Sequence, residues 1–256
     1  GGTVQWAAAG TGNITQSGAT VATAILATGA TGGNLAVVSA SGNVLLQNVT
    51  NDVAWVAGKV VTAGKYFYYT DANNLAVDTV ANVGSLTSVA GSVNANPGAS
   101  TVGITTLGHT GGDVKVYAVA GNLAVNQAIS TVPASGAATV GGTVVLQASG
   151  TITSVAAGTV TTTGAASNAS AGGVGGEVFI YSSGGTITLG GNVTAAGGAA
   201  TGAGNNGGNG GVVTVRTASG DILINAAVNV SGGTGSTQGN GGTVQLTAAG
   251  TGNITQ

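Results

Sequence analysis

The chain contains no cysteine and no methionine, a single histidine, two prolines, and only four basic and six acidic residues in 256. Each scarcity excludes something. Without cysteine there is no disulfide, no thiolate nucleophile and no thiolate metal site. With so few Lys and Arg and a formal net charge of −2, no basic patch exists to hold nucleic acid. Gly, Asn, Ser and Thr interrupt every apolar run before it reaches eighteen residues, so no membrane-spanning helix is expected. The first residues do not read as a secretion signal. Disordered chains combine high charge with few β-branched residues; here charge is 4% while Val, Ile and Thr abound. The 50 glycines show no three-residue period, which excludes collagen. Helix is disfavoured as well, since Gly costs about 1 kcal/mol per helical position relative to Ala, and Val and Thr are poor formers.

What the chain does have is repetition. "GGTVQWAAAGTGNITQ" at 1–16 returns as "GGTVQLTAAGTGNITQ" at 241–256, differing only at Trp6/Leu246 and Ala7/Thr247. Composition cannot produce fourteen matches in sixteen at one offset. The period is 240 residues: 1–240 read as one copy and 241–256 as the start of the next.

A shorter repeat lies inside the long one. Gly2, Gly33, Gly64, Gly112, Gly142, Gly176, Gly211 and Gly242 each precede a short alternating run, at spacings of 31, 31, 48, 30, 34, 35 and 31. Apolar residues stand two and four places after each anchor: Val4/Trp6, Leu35/Val37, Tyr66/Tyr68, Val114/Val116, Val144/Leu146, Val178/Ile180 and Val213/Val215. A period of two places both on one face of a strand. Gly or Asn follows at Gly10, Gly42, Asn73, Gly121, Gly150, Gly184 and Gly220, marking a corner. A second strand follows, and in several units a third. The 48-residue unit carries an insertion within 80–110, around "SVNANPGAS" with Pro97. Strands and corners at this period predict a single all-β domain, a parallel, right-handed β-helix or β-solenoid with about seven turns per 240 residues, because one turn alone cannot bury its apolar side.

Units such as "GGTVVLQASGTITSVAAGTV" and "GGEVFIYSSGGTITLGGNVTAAGG" resemble the repeats of filamentous-haemagglutinin-type exoproteins. The resemblance implies a right-handed parallel β-helix shaft, an extracellular place on a bacterial cell surface, export through an outer-membrane partner and an adhesive role. It implies no enzyme, metal or cofactor.

Candidate chemistry is sparse. His109 in "LGHTGG" has no visible catalytic partner and reads as a polar turn residue. The acids Asp52, Asp71, Asp78, Asp113, Glu177 and Asp221 form no pair spaced for glycoside hydrolysis or calcium-dependent lyase chemistry. Gly202, Gly204 and Gly207 match a dinucleotide fingerprint in letters, but that motif needs a following helix. The six Asn-x-Ser/Thr triplets are close to what composition alone yields.

One constellation stands above background. Trp6, Tyr66 and Tyr68 are expected inside, whereas Phe67, Tyr69, Lys115, Tyr117, Phe179, Tyr181 and Arg216 are expected as an outward contact stripe. Lateral packing against a neighbouring shaft, ring stacking on surface glycans, and β-propensity without a partner all fit such a stripe. End to end, neighbouring copies of the repeat are the expected partners. The function expected is a structural fibre or adhesin shaft. A carbohydrate- or ice-binding solenoid and a polysaccharide-processing β-helix are the alternatives.

Overall fold

The computed structural model describes every residue except 1, 19, 28–31, 83–99, 109–111 and 137. His109 and Pro97 with most of its insertion therefore lie outside the described residues. The protein is all-β: among the described residues the one helical element is a single 3₁₀ turn at Val21–Thr23.

Two large parallel sheets face each other, and the chain alternates between them. The eight-stranded sheet stacks, in sequence order, Ile14–Thr15, Val44–Leu46, Phe67–Asp71, Val114–Ala118, Thr143–Ala148, Glu177–Ser182, Val212–Thr217 and Thr243–Ala248. The fourteen-stranded sheet begins with three long strands, Thr3–Ala8, Asn34–Ser39 and Trp55–Val60. It then divides. Leu75–Val77 stacks on the first half of Trp55–Val60 and Ile104–Thr105 on the second. Leu123, Ile152, Ile187, Ile222 and Ile254 continue the first branch, and Ile129, Val160, Val193 and Val228 the second. A short antiparallel pair, Thr79–Val80 with Thr101–Val102, packs outside this sheet, where Val80 meets Ala36 and Ala57.

The interior is built from columns of like residues. Val114, Val144, Val178 and Val213 are stacked and buried, as are Val116, Leu146, Ile180 and Val215. Each residue lies in register on the equivalent residue of the next layer, so a column fills by repeating one shape. Corners stack too. Asn74 Oδ1 accepts from Asn122 N at 2.8 Å, and Asn122 Oδ1 from Thr151 N at 2.8 Å. On the other edge Asn13 Oδ1 accepts from Asn43 N at 2.9 Å.

Glycine has its own architecture. After the third strand of each later unit the chain runs outward and returns. Outgoing limbs bond layer to layer (Gly164 N to Ala196 O, 3.0 Å; Gly197 N to Ser231 O, 2.9 Å), and return limbs do the same (Gly175 N to Asn209 O, 2.9 Å; Gly210 N to Asn240 O, 2.8 Å). The limbs also bond to each other: Gly198 N to Gly173 O, Gly208 N to Gly198 O and Gly233 N to Gly208 O, all at 2.8–2.9 Å. A Cβ on Gly208 would overlap the Gly173 carbonyl oxygen, and one on Gly239 the Gly208 carbonyl oxygen. The result is a slab of backbone packed on backbone, possible only without side chains.

Three expectations need correction. Phe67 pairs with Val44 and Val114, and Tyr69 with Leu46 and Val116. Phe67 and Tyr69 are thus buried, and Tyr66 and Tyr68 face outward. Because side chains alternate, a strand set one residue later exchanges its faces. Gly64, at φ +72°, lies in the lead-in and is not the anchor. Second, the anchored strands do not share one sheet. Gly112, Gly142, Gly176, Gly211 and Gly242 form one column, in which each of the last four is backed by the carbonyl of the glycine before it. The strands after Gly2 and Gly33 lie in the other sheet, joined there by Trp55–Val60, a strand the unit pattern hides. Third, Thr3–Ala8 is the first layer of the fourteen-stranded sheet, while Thr243–Ala248 is the eighth of the eight-stranded one. They stand seven full circuits and one further crossing apart, not seven circuits. Trp6 is in line with Val37 but is 39% exposed, because it sits on the outermost layer.

Candidate functional site

The outer face of the eight-stranded sheet gathers five of the nine aromatic side chains and four of the ten charged ones. Three columns define it. One runs Tyr66, Asp113, Thr143, Glu177; the next Tyr68, Lys115, Val145, Phe179, Thr214; the third Thr70, Tyr117, Gln147, Tyr181, Arg216. Of the expected stripe, Lys115, Tyr117, Phe179, Tyr181 and Arg216 are therefore brought together on this face. Phe67 and Tyr69 are not, and Tyr66 and Tyr68 take their place.

The side chains here are arranged in two clusters. In the first, the Tyr66 and Tyr68 rings stack at 4.6 Å with planes 20° apart, and Lys115 Nζ lies 4.7 Å from the Tyr68 centroid. Burial, and then the Asp113 carboxylate beside it, push the Tyr68 hydroxyl up to about 12. In the second cluster Phe179 and Tyr181 stack at 6.3 Å, with the Arg216 guanidinium 6.0 Å from the Tyr181 centroid. Aromatic pairs contribute about 0.5–1.5 kcal/mol and exposed cation–π contacts about 0.5–1 kcal/mol, enough to order these side chains. A sugar stacks on an open ring face. Tyr68 already has a tyrosine and an ammonium against it, so the first cluster presents ordered edges and hydroxyls rather than a bare platform.

A second cluster of polar groups, which the sequence pattern did not reveal, lies inside. Asp71 is fully buried and accepts from the Tyr69 hydroxyl at 2.8 Å, Val53 N at 3.0 Å and Asn73 N at 3.0 Å. Burial raises its carboxyl to about 6, against the lowering effect of these hydrogen bonds. Burial and the neighbouring Asp71 also hold the Tyr69 hydroxyl well above its usual range. Beside them Asn51 Nδ2 donates to Gln16 Oε1 at 3.1 Å and Thr70 O at 3.0 Å, while its Oδ1 accepts from Gln16 Nε2 at 2.6 Å and Ile25 N at 2.8 Å. Gln16, Asn51 and Thr70 belong to three successive layers, so the network staples the stack from within. Its groups are occupied by one another, which suits fastening rather than chemistry.

Among the described residues no three His, Asp or Glu side chains gather closely enough to hold a metal ion. Nor does any described helix have the length and apolarity to cross a membrane. Gly202–Gly207 forms a loop closed by Asn205 N to Gly202 O at 3.2 Å, with Gly204 at φ +78°. The residues after it re-enter strand Val212–Thr217, so no helix terminus is there to receive a phosphate. No family, curated protein or solved structure matches the chain.

Proposed function

We propose that the protein is a length of right-handed parallel β-solenoid serving as a rigid shaft of an extracellular bacterial surface fibre, with a structural and adhesive role and no catalytic one. The observation that carries this reading is the pair of in-register parallel ladders that persist from one end of the chain to the other. Each layer is bonded through its backbone to the layers on both sides, and its apolar columns run continuously through the interior. Such an object resists bending and gains length by repetition. The restart of the sequence at residue 241 extends the same design beyond one period. Residues 1–240 are one repeat period of the sequence and 241–256 open the next, with further copies as end-to-end partners.

The outer cluster of Tyr68, Lys115, Tyr117, Phe179, Tyr181 and Arg216 is the contact face of the shaft, and lateral packing on a neighbouring rod is its use. Ring edges, hydroxyls and cations on a flat sheet suit a polar protein surface better than the face of a sugar. Oriented fibres of the purified protein test the architecture. Layers about 4.8 Å apart give a strong meridional reflection at that spacing, and electron micrographs show straight unbranched rods. Globular particles without that reflection sink the reading.

A further inference from the structure

The charges on the outer face of the eight-stranded sheet are sorted by column. Asp113 and Glu177 stand in the first column, Lys115 in the second and Arg216 in the third. Two of each sign leave the face neutral in sum. Lys115, Glu177 and Arg216 are exposed. Within the chain the two cations rest on the Tyr68 and Tyr181 rings, and among the described residues neither is ion-paired with a carboxylate.

We propose that this face packs on the same face of a second copy of the chain, the two rods side by side and pointing the same way, with the acid column of each against the lysine column of the other. This rests on the shaft reading above and gives its lateral contact a partner and a polarity.

Self-complementarity favours this packing. A twofold axis parallel to the rod, passing between the first and second columns, sets each layer opposite its own copy and exchanges the two columns. Asp113 then faces Lys115 of the second copy, and Lys115 faces its Asp113, a contact made twice by symmetry. In the neighbouring layer Tyr66 faces Tyr68 and Tyr68 faces Tyr66. Facing sheets lie about 10 Å apart, a gap that a lysine and an aspartate reaching from opposite sides close. Other packings lose the pairing. An axis through the second column sets Lys115 on Lys115. Rods pointing opposite ways about an axis across them set each column on itself, so Asp113 meets no cation. An uncharged sugar answers none of the four charges. Like charges facing each other oppose association, and opposite ones favour it. The columns from Tyr68 to Thr214 cover five layers, about 24 Å of rod, so one contact belongs to the weak class of interface and its ion pairs are open to screening by salt.

Charge exchange tests it. Lys115→Glu and Asp113→Lys are made separately. Sedimentation equilibrium of concentrated protein follows the unchanged chain, each variant and their 1:1 mixture, at low and high salt. Fibre diffraction of the same samples reports the layer spacing. Both positions belong to the interior layer around Val114–Ala118, so the ends of the rod are untouched. Each variant alone sets like charges across both contacts, and self-association falls by about tenfold or more. The mixture restores opposite charges in both contacts and recovers most of the loss. High salt narrows every difference. Asp113 Oδ1 also accepts from Thr143 N at 2.9 Å. Should Asp113→Lys unfold the chain, the series of unchanged chain, 1:1 mixture with Lys115→Glu, and Lys115→Glu alone replaces it, with association weakening at each step. Variants that associate as the unchanged chain does, or a mixture no stronger than its components, overturn the pairing. An unchanged chain that stays monomeric at low salt overturns it too. In each case a retained reflection at the layer spacing leaves the shaft standing. Loss of that reflection from the unchanged chain overturns the shaft and the pairing together.

Discussion

Asp71 shows how one residue can tie stability to pH. Its carboxyl is buried and its folded value is about 6, above the ordinary 3.8. The fold therefore prefers the protonated acid. That preference contributes fully below about pH 3.8 and is lost as pH rises through about 6. The difference corresponds to about 3 kcal/mol. The unfolding free energy of the protein is expected to fall between pH 4 and pH 7 by an amount of that order. Asp71→Asn, which keeps an acceptor for the Tyr69 hydroxyl, flattens the dependence over that interval. Urea titrations at four pH values check it; an unchanged slope in the variant would place the titrating group elsewhere. Gly58 poses a steric question of the same size. A Cβ there overlaps the Phe67 ring across the interior. Gly58→Ala should cost about 1–3 kcal/mol, and adding Phe67→Leu should return part of it. A double-mutant cycle with no coupling would mean that the two do not touch.

Strands and limbs expose what a sequence pattern can and cannot carry. The columns of Val114, Val144, Val178 and Val213 were legible, because anchor, alternation and corner agree in each of those units. Phe67 and Tyr69 were not. In "GKYFYYTDANNLAV" both alternations are aromatic, and the choice depends on Gly58 leaving room opposite Phe67 and on Val53 and Asn73 receiving Asp71. These are long-range facts with no local signal. Trp55–Val60 was hidden for a related reason: its period is broken by Gly58, which has no side chain to count. The outer face was legible in the later units and misplaced in the early one by that single-residue shift. Register can be tested directly. Tyr69→Ser empties an interior site and should cost about 3–5 kcal/mol, whereas Tyr68→Ser loses stacking worth about 1 kcal/mol. Equal losses would return the strand to its other phase. The glycine slab was illegible altogether, since extended limbs of glycine present no periodicity. Gly208→Ala should cost at least 1–3 kcal/mol by forcing the limbs apart. Gly10 has nothing within 4 Å of its added Cβ and no positive φ, so Gly10→Ala is expected to stabilise by about 0.4–1 kcal/mol.

At the scale of the whole molecule, stability is a property of position along the stack. An interior layer such as Thr143–Ala148 has a hydrogen-bonded layer on each side, Val114–Ala118 and Glu177–Ser182. The rim strands Thr3–Ala8 and Thr243–Ala248 each pair with one neighbour only. Opening a rim layer breaks one interface; opening an interior layer breaks two and exposes apolar columns on both sides. In such a stack local opening proceeds from the ends, and its free energy grows with each layer removed. Amide hydrogen exchange should therefore be slowest through residues 114–189 and accelerate in steps toward 3–15 and 243–255. The Gln16–Asn51–Thr70 network adds a check on the amino-terminal side, so that protection there should drop sharply outside residue 16 rather than gradually. On the end-to-end reading proposed above, association would add the missing interface. Raising the protein concentration into the range where rods form should slow exchange at both rims together and leave the centre unchanged. A uniform exchange rate along the chain, or protection that rises at one rim alone, would mean that the layers do not open in sequence or that unlike rims do not meet.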